Sequence, residues 1–242
     1  MDRMIYLSMS GAKATMQRQD SLAHNLANVS TVGFRAELQA FRAVPVNGSG
    51  ASTRVYALES TPGHDNAPGT ITATGRNLDV AAQGNSWFTV QSLQGTEAYT
   101  RAGAFDVSAD GTLVTRSGLM VLGDGGPIQI PPNSDVAVAG DGTVSARDPL
   151  TGIANPVGRL KLVTPEAPLV RGEDGLFRDP EGDLPADALA RVQDGALEGS
   201  NVSAVETMVA MIAAARQFET QMKMLQTAER NEQSAARLLS PN

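Results

Sequence analysis

Along the first 28 residues, Ile5, Met9, Ala12, Met16, Gln19, Ala23 and Leu26 fall at alternating spacings of four and three, with no proline among them. That spacing predicts an α-helix over 1–28 carrying a coiled-coil-like seam. Leu7 and Leu22 lie off the line and widen the apolar surface. The β-branched run Val29–Val32 favours extended chain, and Gly33 supplies the residue that tolerates a left-handed helix exit. The helix is expected to stop there.

A second helical pattern occupies 200–240. Met208, Met211, Ala215, Phe218, Met222 and Leu225 keep the same alternation, continuing weakly to Ala236 and Leu239. Val202, Val205, Val209 and Ile212 form a parallel apolar line. Two helix starts are open: Ser200 as N-cap, or Ser203 in a Ser-x-x-Glu capping box with Glu206. Free of Gly and Pro, the segment predicts roughly 58 Å of helix. Arg216, Lys223, Arg230 and Arg237 recur every seven residues as a basic stripe, and Glu219 precedes Lys223 in the favourable order. The stripe reads either as a solvated face or as the flank of an inter-subunit contact.

Between the helices the period changes to two. Most of the 24 glycines and 13 prolines fall here, with Asn-Gly or Asp-Gly pairs at 47–48, 110–111, 124–125, 141–142 and 174–175. Such pairs favour tight reversals. A two-residue turn at Asp110-Gly111 would set Val107 opposite Val114. "NLDVAAQGNSWFTVQ" and "RLKLV" read as short strands, and 43–70 reads as an extended connector. The expected fold is α+β: long N- and C-terminal helices packed as a coiled-coil-like pair, with an all-β middle domain inserted. Its expected divisions are 1–35, 36–70, 71–199 and 200–242.

The two helices lack a sequence neighbour to cover them and are broader in apolar surface than one pairing hides. Uncovered apolar faces mark partner sites. The expected assembly interface comprises Ile5, Met9, Met16, Leu22, Leu26, Val205, Met208, Met211, Ile212, Phe218, Met222 and Leu225.

Composition sharpens this only by exclusion. The 242-residue chain has 41% hydrophobic and 4% aromatic residues and no cysteine. Disulfides, thiol nucleophiles and thiolate metal sites are therefore absent. The net charge of −7 splits into +2 over 1–35, −9 over 36–199 and 0 over 200–242. An acidic body gives no basic footprint for nucleic acid. No apolar run is long enough to span a bilayer, and the N-terminal stretch lacks the apolar core of a cleavable signal, so no membrane insertion and no cleaved leader are expected.

Catalytic patterns are thin. The two histidines are His24, in the first helix, and His64, in a Pro/Gly-rich loop. His64-Asp65 is a weak general-base pair. "GNSWF" lacks the second glycine of a nucleophile elbow, "GDGGP" is a turn cluster, and the Asp-Gly turns do not space carboxylates as a calcium loop does. No cofactor or metal is expected. A periplasmic enzyme with helical oligomerisation tails and an adhesin-like binding module remain as competing readings.

Four stretches carry a resemblance: "NLANVSTVGFR" (25–35), "NLDVAAQGNSWFTVQ" (77–91), "YTRAGAFDVSADGTLVTRSGLMVLGDGGPIQIP" (99–131) and "LEGSNVSAVETMVAMIAAARQFE" (197–219). In that order they resemble the bacterial flagellar rod and hook proteins, and most closely a proximal-rod member; a distal-rod or hook-type member is the runner-up. The motif residues are Asn25, Leu26, Ala27, Asn28, Thr31, Gly33, Phe34 and Arg35. Val32 stands where Pro or Asn is common, and Ala82 and Trp87 where Ile and Phe are frequent.

The resemblance implies a non-enzymatic subunit that passes unfolded through the flagellar export apparatus into the periplasmic rod of the basal body. There it packs helically with further copies of itself and with proximal and distal rod proteins, transmitting torque around a central channel. It also implies that Asn25 and Asn28 hydrogen-bond at the helix end, Gly33 turns the chain, and Phe34 anchors the exit.

Overall fold

The computed structural model describes residues 2–45 and 55–239. Two helices bracket a β-rich middle, so the fold is α+β. The chain divides into two compact units: α1 (Asp2–Ala27), the hairpin β1 (Glu37–Pro45) with β2 (Val55–His64), and α2 (Ala204–Leu239) form one, while residues 29–35 and 66–201 form the other.

In the first unit α1 and α2 pack on each other. α1 stops at Asn28, whose amide nitrogen donates to the carbonyls of His24 and Asn25 and whose Nδ2 donates to His24 O at 2.9 Å. Ser203 begins α2: its Oγ accepts from the Glu206 amide, and its carbonyl takes both the amide and the hydroxyl of Thr207. Of the two starts the sequence allows, the cap is therefore Ser203. At 36 residues, α2 runs about 54 Å. Where an extended connector is expected, β1 and β2 pair antiparallel, with Glu37 opposite His64 and Pro45 opposite Val55. β-branched and aromatic residues in the two runs (Phe41, Val44, Val55, Tyr56) favour strand over other backbone conformations. Asn47-Gly48 lies outside the described residues.

In the second unit β3 (Ile71–Ala73), β4 (Val80–Ala82), β5 (Trp87–Gln91) and β6 (Glu97–Thr100) lead into a succession of short strands. The largest sheet runs Leu162–Val163, β5, β6, Phe177–Arg178, Val170–Arg171, antiparallel throughout. Alternation along β5 splits its side chains between two cores. Phe88 and Val90 join Val80, Phe105, Leu113, Val144 and Leu160, while Trp87 joins Tyr99, Val163, Leu169 and Phe177. Trp87 meets Phe177 at 4.7 Å between ring centroids, and Phe88 meets Phe105 edge-on at 5.2 Å.

The Asp110-Gly111 reversal is one residue longer than expected. Val107 pairs with Leu113, and Asp106 with Val114. The loop Ala109-Asp110-Gly111 is closed by the Ser108 amide donating to Thr112 O, with Gly111 at φ +79°. That is the three-residue hairpin in which glycine takes the left-handed position.

Candidate functional site

The seam of α1 keeps Ile5, Ala12, Gln19 and Leu26 of the expected line and takes Ser8, Thr15 and Leu22 in place of Met9, Met16 and Ala23. Ser8, Ala12 and Thr15 are buried, and Gln19, Leu22, Leu26 and Ile5 half-buried, again at alternating three and four. Met9 and Met16 instead stand 56% and 58% exposed. Small side chains let a neighbour approach closely, and a Cβ added at Gly11 would meet the Gln221 side chain at 3.1 Å. Burying Thr15 is tolerable because its hydroxyl donates to Gly11 O at 2.8 Å.

The inner line of α2 is Thr207, Met211, Ala214, Phe218, Gln221, Leu225 and Ala228. Val205, Met208, Val209 and Ile212 face outward, 73%, 51%, 62% and 56% exposed, and Met222 is also exposed. Spaced at i, i+3, i+4 and i+7, these four make one apolar stripe over two turns. Arg216, Glu219, Lys223 and Arg230 are exposed; the Arg237 side chain lies outside the described ones. Of the expected interface residues, Ile5, Leu22, Leu26, Met211, Phe218 and Leu225 thus sit partly inside, and Met9, Met16, Val205, Met208, Ile212 and Met222 outside.

The motif 25–35 divides between the two units. Asn25, expected to bond at the helix end, reaches instead to β1: Nδ2 donates to Glu37 O at 2.9 Å, and the Glu37 amide donates to Oδ1 at 2.8 Å. His24 Nδ1 lies 3.0 Å from Glu37 Oε2. Asn28 bonds at the helix end as expected. Leu26 is half-buried, and Ala27, the last residue of α1, is exposed.

In the second unit the Phe34 amide donates to the exposed Thr31's carbonyl across a turn with Gly33 at φ +69°. The Gly33 amide donates to Glu198 O at 2.8 Å. A Cβ at Gly33 would lie 2.4 Å from the Ala102 amide nitrogen. Phe34 is buried under the Arg171 guanidinium, whose Cζ is 4.7 Å from the ring centroid. Arg35 completes the motif with 3% exposure.

Sequence reasoning did not single out what Arg35 meets. Glu198, 1% exposed, ends the strand Ala196–Glu198, which pairs with β3. Its Oε1 is 2.8 Å from Arg35 Nη1, without hydrogen-bond alignment, and accepts from the Gly69 amide at 2.9 Å. Its Oε2 takes Nε and Nη2 of Arg101 at 2.8 and 2.6 Å. Arg101 also donates from Nη2 to Ala82 O at 2.9 Å and from Nη1 to Ser86 O. Each guanidinium carbon stands 5.9 Å from the Trp87 ring centroid, within cation–π range. Burial pulls the Arg101 pKa down from its ordinary value; Glu198 opposes that fall and Arg35 adds to it. Both carboxylate oxygens are engaged, so the cluster is arranged to hold chain segments together rather than to transfer protons. A charged residue inside each of two strand-like runs, "YTRAG" and "ALEG", is the signal that would have pointed to it.

A chain helical at both ends with a β body between is the class these features define. Family models place it further. Residues 5–35 match the flagella basal body rod protein model, 81–146 the D1 domain of flagellar hook protein FlgE/F/G, and 193–238 the C-terminal region of flagellar basal body rod FlgEFG proteins. The chain is 48% identical to the flagellar basal-body rod protein FlgF of Salmonella typhimurium and 47% to that of Escherichia coli, covering 99% of each chain in both cases. It is 32% identical to the rod protein FlgG of Bacillus subtilis over 94% of this chain and 95% of the relative. The chain belongs to the flagellar basal-body rod protein family and is a structural subunit of that kind. Arg35, Arg101 and Glu198 fall one in each of the three matched segments.

Proposed function

We propose that this chain builds the proximal part of the flagellar rod, packing helically with further copies of itself and with related proximal and distal rod proteins. The observation that carries the reading is the outward stripe Val205, Met208, Val209 and Ile212. Each such side chain left in water forgoes roughly 1.5–3 kcal/mol of burial free energy, which a neighbouring subunit supplies. Met9, Met16 and Met222 extend the outward apolar surface, and flexible thioethers suit unequal neighbours. Ile5, Leu22, Leu26, Met211, Phe218 and Leu225 then hold the two helices as a coiled-coil-like pair inside the subunit. The unit holding α1, α2 and the β1–β2 hairpin then acts as the axial part, and the unit of 29–35 and 66–201 as the β domain it carries.

Higher identity to the Salmonella and Escherichia FlgF proteins than to the Bacillus FlgG supports a proximal over a distal position. On this reading the subunit transmits torque around a central channel, has no catalytic turnover, and reaches the periplasmic rod through the flagellar export apparatus. The test is the double variant Met208→Lys/Ile212→Lys. It should keep the helical content of the parent, yet neither self-associate at high concentration nor enter rods when it replaces the parent in a motile cell. Normal assembly by the folded variant would remove the basis for the proposal.

A further inference from the structure

We propose that Glu198 is the latch of a closure step in which the entry segment 29–35 and the exit segment 196–201 seat on the β body only together. Every contact involved lies within the second unit, so the inference stands apart from the assembly reading.

Residues 29–35 belong to the β body although they follow directly on α1. Two main-chain hydrogen bonds tie them to the exit. The Gly33 amide donates to Glu198 O, and the Asn201 amide donates to Phe34 O. Asn201 also ties to Ala67 O through its side chain, and the Gly199 amide donates to Thr70 O. The Glu198 carboxylate lies where four pieces of chain meet: Arg35 of the entry, Gly69, Arg101 after β6, and its own strand. Sequence separations of 97 from Arg101 and 129 from Gly69 make this a wholly non-local junction.

Charge makes the two seats interdependent. Arg101 is held by Ala82 and Ser86 carbonyls as well as by Glu198. Arg35 is brought beside the same Trp87 ring with Glu198 as its counter-charge. With Glu198 elsewhere, seating Arg35 would bury a second guanidinium beside the first with no anion between them. Removing one member of a buried ion pair is far costlier than never forming it. An arginine cannot escape by losing its proton. The entry therefore stays unseated until residues 196–201 arrive, and the β body closes in one step when its last strand is in place. Gly69 and Gly33 make that step sterically exacting. A Cβ on Gly69 would lie 2.0 Å from Gly199 O, so only bare backbone fits between connector and exit.

Amide hydrogen exchange on the full-length protein tests this. In Glu198→Gln, amides of 29–35 and 196–201 should exchange faster together, by at least about tenfold, while β5 and β6 keep the parent's rates. In the double variant Arg35→Met/Glu198→Gln, which removes one of the two cations left without an anion and restores the parent's net buried charge, 29–35 should regain protection. Should Glu198→Gln fail to fold, the double variant should fold again. The proposal is overturned if Glu198→Gln loosens 196–201 and leaves 29–35 at the parent's rate, if neither segment changes, or if the double variant brings no recovery.

Discussion

Asn25 and Glu37 exchange two hydrogen bonds, the side-chain amide of one against the main-chain N–H and C=O of the other, at 2.9 and 2.8 Å. A buried helix side chain thus copies the pairing of a neighbouring strand and pins the first residue of β1. Asn25→Ala leaves both backbone groups of Glu37 without these partners, at a cost of about 1–3 kcal/mol. The denaturation midpoint should fall accordingly. Asn25→Asp retains the acceptor but loses the donor, so an intermediate midpoint is expected.

Gly33 is the strictest position of the motif. Its φ of +69° disfavours any side chain, and a Cβ would lie 2.4 Å from both the Ala102 nitrogen and the Arg101 carbonyl carbon. Neither is a flexible side-chain end, so the main chain itself must shift. Gly33→Ala should lower stability by more than about 3 kcal/mol, read as a large drop in melting temperature. An unchanged melting curve would show that the turn is not as confined as the geometry requires.

Arg101 supports Glu198 and two carbonyls at once. Arg101→Ala breaks a buried pair and leaves Glu198 only the Gly69 amide and the unaligned Arg35 as partners, a loss of about 3–5 kcal/mol. Arg101→Lys should recover little of it, because one ammonium cannot span the carboxylate, Ala82 O and Ser86 O in a planar fork. Chemical denaturation of the three proteins side by side decides the point; a lysine variant as stable as the parent would show that charge alone suffices.

Acid should weaken the β body through four aspartates. Hydrogen bonds from the Arg178 side chain hold the Asp174 carboxyl below its ordinary 3.8, and the Thr143 amide, the Leu150 amide and the Thr164 hydroxyl do the same for Asp141, Asp148 and Asp187. A depressed folded pKa adds stability that is fully present above the unfolded value and is lost as pH falls through the folded one. Melting temperatures should therefore hold down to about pH 4 and decline below it, with Asp174→Asn flattening part of the decline. At the alkaline end burial raises the Tyr99 pKa above 10.0. Its contribution is complete below pH 10 and fades as pH climbs through the raised value, and Tyr99→Phe should soften that loss.

The α+β order, the end of α1 near Asn28, a serine start for α2 at Ser200 or Ser203, and membership of the rod family were all present in the linear chain. Helical period, capping residues, Asp-Gly pairs and the 25–35 motif act over a few residues, so neighbours along the sequence suffice to set them. Three things were decided only by the tertiary structure. Met9 and Met16 share a spacing with the inner line of α1, but the helices choose Ser8, Ala12 and Thr15, which permit closer approach. Val107 was one residue off its partner, because a two-residue and a three-residue reversal look alike until the strands pair. Arg35, Arg101 and Glu198 gave no periodic signal, since a charge is buried only when its counter-charge arrives from a distant part of the chain.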